Sequence, residues 1–174
     1  MVVAVALGVV GLYWFQPWKL WQNETIDEAL PTVAPGASAS ASPGAASPGA
    51  GAPDPAAGPQ TVAQGTLISH EHATTGKVKL IRLADGSLTL RLEDLDTSNG
   101  PDLRVWLTDA PVKEGVAGWR VFDDGKYLSL GKLKGNKGDQ NYPLPPGTDA
   151  SAFTSVTIWC DRFDVSFGAA ALKA

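Results

Sequence analysis

The chain has 174 residues, one cysteine and a net charge of −4, from 14 Lys and Arg against 18 Asp and Glu. That leaves room for one folded domain, and no basic stripe marks a nucleic-acid partner. A single cysteine excludes an internal disulfide, and the Cys-x-x-Cys-His attachment of a c-type haem is absent.

Residues 2 to 15, Val-Val-Ala-Val-Ala-Leu-Gly-Val-Val-Gly-Leu-Tyr-Trp-Phe, are continuously apolar. Trp14, Trp18 and Trp21, with Lys19 among them, follow as an interfacial aromatic belt would. A helix over residues 1–15 is roughly 22 Å long, short of the ~30 Å hydrocarbon core of a bilayer. Either the helix continues past Pro17 or the true start lies upstream. The second is favoured, because no basic residues precede the apolar run. No small-x-small cleavage site follows Phe15, and no nearby cysteine offers a lipid attachment point. Residues 1–22 are therefore read as an uncleaved, single-pass transmembrane anchor.

Residues 23–61 are read as a disordered linker. From 31 to 59 they are Ala, Ser, Pro and Gly almost throughout, with Asp54 the only charge. Such a composition cannot bury enough apolar surface to offset its ordering entropy. Fully extended, it would reach at most ~90 Å. A tether of this kind between a membrane anchor and a domain places the C-terminal part on the extracytoplasmic side. Asn23-Glu24-Thr25 matches a glycosylation sequon, which has meaning only in a eukaryotic secretory pathway.

Residues 62–174 have the mixed composition of a folded domain, and their apolar pattern has period two. Thr66-Leu67-Ile68-Ser69-His70 is a first short strand and Lys77-Val78-Lys79-Leu80-Ile81-Arg82-Leu83 a second. Asp85-Gly86 then predicts a tight hairpin into Ser87-Leu88-Thr89-Leu90-Arg91-Leu92. In that strand Leu88, Leu90 and Leu92 are expected in the core, with Thr89 and Arg91 facing water. Asp102-Leu103-Arg104-Val105-Trp106-Leu107 alternates again. Residues 111 to 125 are irregular, with a short helical turn. Tyr127-Leu128-Ser129-Leu130 and Gln140-Asn141-Tyr142-Pro143-Leu144 flank a Lys- and Gly-rich loop, and two last strands flank Cys160. About eight short strands without an amphipathic helix predict an all-β fold, an antiparallel sandwich or barrel.

Cys160 lies within Ser-Val-Thr-Ile-Trp-Cys-Asp-Arg-Phe-Asp-Val-Ser-Phe-Gly, residues 155–168. If Asp161-Arg162 is a two-residue turn, Cys160 pairs with Phe163, Ile158 with Val165 and Val156 with Phe167, all facing the core. Trp159 and Thr157 then face the other way. A bulge bending one long strand is the alternative, since Asp-Arg is not a favoured hairpin pair. Either way Cys160 faces apolar neighbours, where free cysteine is commonly plain packing. His70-Glu71-His72 offers two imidazoles at i and i+2, which could clamp a metal; an exposed polar strand end is the simpler reading. A blue-copper site is not indicated, because no His follows Cys160 and the only Met is Met1. Glu93-Asp94-Leu95-Asp96-Thr97-Ser98-Asn99-Gly100 lacks the sixth-position Gly and closing Glu of a calcium loop.

Three ordered segments carry a family resemblance. They are Asn99-Gly100-Pro101-Asp102-Leu103-Arg104-Val105-Trp106-Leu107; Leu130-Gly131-Lys132-Leu133-Lys134-Gly135 with Gly138-Asp139-Gln140-Asn141-Tyr142-Pro143-Leu144; and Val156 to Gly168 around Cys160. Together they resemble the DM-thirteen domain over roughly residues 63 to 172. That family occurs in bacterial membrane-anchored proteins and beside DOMON domains in animal cell-surface proteins. The resemblance implies a β-rich electron-transfer domain whose hallmark cysteine is Cys160, acting as a bare thiol or as a ligand to a haem or metal. Trp159 and Phe163 would shape its pocket, and His70 or His72 would supply a second ligand to a prosthetic group whose identity stays open. Residues 1–174 contain no recognisable second redox domain, so a redox or cell-surface partner is expected to be a separate protein. The rival reading is a cell-envelope binding module with Cys160 as core packing.

Overall fold

A computed structural model of the chain describes residues 2–16, 18, 22–31 and 58–174. Helix α1 (Val2–Phe15) is apolar along its length, and 14 residues are too few to cross a bilayer. No helix among the described residues is long and apolar enough to span a membrane. Ten strands follow among the described residues: β1 (Thr25–Asp27), β2 (Gln60–Thr66), β3 (Ile68–Ser69), β4 (Thr75–Arg82), β5 (Leu88–Asp96), β6 (Leu103–Thr108), β7 (Tyr127–Lys132), β8 (Lys137–Pro143), β9 (Ser155–Cys160) and β10 (Val165–Ala171).

The strands form two five-stranded sheets rather than a closed barrel. Sheet A has the order β1-β8-β5-β4-β2 and sheet B the order β3-β10-β9-β6-β7. All pairings are antiparallel except β1 with β8. The expected β4–β5 hairpin closes through a three-residue loop. Gly86 N–H donates to the Leu83 carbonyl at 2.9 Å, and Gly86 takes φ +80, which a side chain would resist. The main core lies between the sheets. Val78, Leu80, Leu90 and Leu92 from sheet A meet Val105, Leu107, Val156, Ile158 and Phe167 from sheet B.

Strand β1 falls inside the span that composition assigns to the linker, and β2 begins at its end. Most of the expected disordered stretch, residues 32–57, lies outside the described residues. Ile26 sits opposite Gly138 in the parallel pairing. Gly138 has φ +88, and a Cβ there would run into the Ile26 carbonyl oxygen. Side chains then lock the segment down. Asn141 N–H donates to the Glu28 carboxylate at 2.7 Å, and Asn141 Nδ2 to the Ala29 carbonyl at 2.9 Å.

That docking reverses one expectation about β5. Leu90 and Leu92 are buried as the alternation predicts, but Arg91 and Thr89 are buried too rather than facing water. Arg91 donates to the Glu28 carbonyl at 2.9 Å, to Asn141 Oδ1 at 3.0 Å and to the carboxylates of Glu93 and Asp139. The outer face of sheet A is covered at this point, and the guanidinium is sheltered because each of its three nitrogens has an acceptor.

Sheet B is also covered on its outer side. Trp106, Ala110, Phe122, Trp159 and Ala169 make a second buried cluster, with Val112 and Val121 packed against it. The segment between β6 and β7, including a 3-10 turn at Gly115–Gly118, supplies the lid. Every residue of β9 is consequently buried.

Candidate functional site

Cys160 ends the central strand of sheet B. It pairs with Leu103 on β6 and Val165 on β10 and has no exposed surface. The hairpin that follows is real, but its register differs from the two-residue expectation. Cys160 opposes Val165 instead of Phe163, Ile158 opposes Gly168, and Val156 opposes Ala170. Turn chemistry explains the shift. Asp161-Arg162 cannot easily supply two positive φ angles, so the loop widens to Asp161, Arg162, Phe163 and Asp164. Phe163 N–H donates to the Cys160 carbonyl at 3.2 Å, and Asp164 takes the left-handed φ of +50. A bulge at Phe167 shifts the ladder by one further residue. Gly168 permits it, since a Cβ there would stand 2.6 Å from the Thr74 side chain.

Charged groups fasten the loop from outside. Arg104 pairs with Asp102 at 3.3 Å and with Asp161 at 3.2 Å. Arg120 donates to the carbonyls of Phe163 and Asp164 at 3.1 and 3.2 Å. Arg162 reaches the last turn of α1, where it donates to the Trp14 carbonyl with its guanidinium 5.1 Å from the Trp14 ring centre.

The thiol experiences opposing influences. Burial pushes it above its ordinary value. The backbone N–H groups of Arg162, Phe163 and Asp102 act in the other direction, and the Glu71 carboxylate adds to the rise. Burial prevails, so the resting group is a neutral thiol rather than a poised thiolate nucleophile. One-electron chemistry remains open to it, because that route does not require a reagent to touch the sulfur.

The residues singled out with Cys160 do not converge on one pocket. Phe163 lies on the core side, packed against the main cluster. Trp159 points to the opposite face, as the alternation requires, with its ring 5.1 Å from Trp106 and edge-on to Phe122 at 6.5 Å. The two histidines also part company. His70 Nε2 lies 3.0 Å from the Lys113 carbonyl, and Nδ1 lies 2.7 Å from Ser166 Oγ. A carbonyl only accepts, so Nε2 carries the proton, Nδ1 accepts from Ser166, and Ser166 accepts from Thr157 at 2.8 Å. Both ring nitrogens are thereby occupied, which leaves His70 no lone pair for a metal. His72 instead lies tilted against Phe167, with ring centres 4.0 Å apart, and pairs with Glu71 at 2.9 Å. Among the described residues, no three His, Cys, Asp or Glu side chains gather as a metal-binding group. The sequence reading missed Ser166, Thr157 and Phe122. Nothing local to those residues signals their roles, since each depends on what the 109–126 segment folds against.

The family model described as electron transfer DM13 matches residues 66–172. The chain belongs to the electron transfer DM13 family. The match takes in every strand from β3 to β10 together with Cys160, and an electron-transfer-related function follows for the DM13 domain. No curated protein and no solved structure matches the chain.

Proposed function

We propose that this DM13 protein carries one-electron redox chemistry at Cys160, in a domain held at a membrane by α1 on the extracytoplasmic side. It would be a DM13 protein of the membrane-anchored bacterial type, working with a separate redox or cell-surface protein. The observation that carries the redox reading is the setting of the sulfur. It is enclosed at the end of the central strand of sheet B, where the backbone N–H groups of Arg162, Phe163 and Asp102 oppose the rise in its pKa that burial causes. Those groups favour loss of the thiol proton, which one-electron oxidation of the sulfur requires. The apolar α1, with exposed Trp14 and Trp18 at its end, supports the membrane reading.

The complete burial of Cys160 also favours a second reading, a binding module in which the thiol is packing. Titrating the purified full chain with a one-electron oxidant separates the two. The redox reading expects one oxidisable equivalent lost in Cys160→Ala. Identical titrations of the two proteins would leave the packing reading standing.

A further inference from the structure

A thiol with no exposed surface cannot meet a redox partner directly, so an electron must cross protein to leave it. Sheet B contains a route. Tyr127, at the start of β7, is 49% exposed, and its ring lies 4.1 Å from that of Trp106 at an interplanar angle of 10°. Trp106 is 4% exposed and lies 5.1 Å from Trp159 at 25°. Registers place the three rings on a diagonal across β7, β6 and β9. Trp106 opposes Ser129 and Thr157, Tyr127 opposes Thr108, and Trp159 opposes Arg104. One peptide unit joins Trp159 to Cys160, with the two side chains on opposite faces of the sheet.

We propose that Tyr127, Trp106 and Trp159 form a hole-transfer route through which a one-electron oxidant at the protein surface draws an electron from buried Cys160. The inference rests on the reading of Cys160 as the redox group and names its path. Tyrosine and tryptophan are readily oxidised side chains, and near-parallel rings at these separations couple well. Trp106 has a second unusual property. Its indole N–H is buried and has no hydrogen-bond partner among the described residues, whereas a buried indole usually finds one. With no acceptor to take its proton, an oxidised Trp106 stays a radical cation and recovers its electron reversibly.

The oxidant, a high-potential metal complex or protein radical seated on the Tyr127 ring, takes one electron from the Tyr127–Trp106 stack. Trp106 is refilled from Trp159, and Trp159 from the Cys160 sulfur. The S–H bond breaks as the electron leaves, and its proton is lost to solvent water. The oxidant is reduced by one electron, both indoles return to neutral, and Cys160 is left as a thiyl radical. Phe122 and His70, which continue the cluster beyond Trp159, are too hard to oxidise to take part.

The test is photogenerated ruthenium(III) tris-bipyridine acting on the full chain in detergent. Oxidised Cys160 is measured by peptide mass spectrometry, and transient indole radical by electron paramagnetic resonance. Trp106→Phe should slow Cys160 oxidation by at least about tenfold, while Trp106→Tyr, which restores an oxidisable ring, should recover most of it. Phe122→Leu loosens the same cluster without breaking the route and should leave the rate near wild type. Oxidation of Trp106→Phe at the wild-type rate overturns the route while sparing Cys160 as the redox group. A wild-type thiol that never oxidises overturns both.

Discussion

His70 Nδ1 accepts a hydrogen bond from Ser166 Oγ at 2.7 Å, and this bond exists only while the imidazole is neutral. Burial holds the His70 pKa below its ordinary 6.5, and the Lys113 carbonyl offsets part of that effect. The unfolded chain therefore binds more protons than the folded one below pH 6.5, and stability falls as pH drops from there through the lower folded value. His70→Gln should flatten this dependence. Thermal midpoints of both proteins between pH 7 and 5 check it; parallel slopes would show that His70 is not the titrating group.

Substitutions at Cys160 should separate by chemistry more than by size. Cys160→Ala removes one small atom and should cost little. Cys160→Ser places a hydroxyl against Leu103 and Val165 and should cost roughly 1–3 kcal/mol. Denaturant unfolding measures both. The native thiol, neutral and enclosed, should also resist a maleimide at pH 8 until the protein opens.

Gly168 should tolerate no side chain. In Gly168→Ala the new methyl would meet Thr74 at 2.6 Å and the Ile68 carbonyl oxygen at 2.8 Å. A destabilisation of about 1–3 kcal/mol is expected. Replacing Thr74 by Ser in the same chain, which removes its clashing γ-methyl but keeps the Cβ, should recover part of the loss.

Strand β1 should behave as part of the domain. A chain beginning at Gly58 leaves Arg91 and Asn141 without the Glu28 and Ala29 groups they bond. Its thermal midpoint should fall by about 5–10 °C. Acid should act in the same place. Burial tends to raise Glu28 and Glu93, but bonds from Lys134 and Asn141 to the first, and from Lys79 and Arg91 to the second, hold both below their ordinary 4.5. Their contribution is complete above pH 4.5 and is lost as pH falls through the lower folded values. Glu28→Gln should weaken that acid response, which a pH series of unfolding curves would show.

Much of the sandwich is legible in the alternation of Leu88, Leu90 and Leu92 and of Leu103, Val105 and Leu107, because period two specifies strands directly. It also places Cys160 and Trp159 on opposite faces. What it cannot give is whether the second face is wet. Arg91 looks like a solvent residue until Glu28 and Ala29 cover it. Trp106 and Trp159 offered a usable hint, since two large indoles on one nominal outer face imply something packed over them. The register after Cys160 was not legible, because Asp161-Arg162 fits no favoured two-residue turn and only the fold decides how far the loop widens. Thr25-Ile26-Asp27 is too short to declare itself a strand, and its partner lies more than a hundred positions away.

The placement of β1 and β2 changes what the Pro- and Ala-rich stretch can do. These strands are the two opposite edges of sheet A, so the chain leaves one rim of the domain at Pro31 and rejoins the other rim at Gly58. A segment with both ends fixed to one body is a handle and not a leash. Lengthening it would not carry the domain farther from α1, and shortening it would not draw the domain closer. That separation is governed by the few residues between Phe15 and Thr25, at most about 35 Å when fully extended.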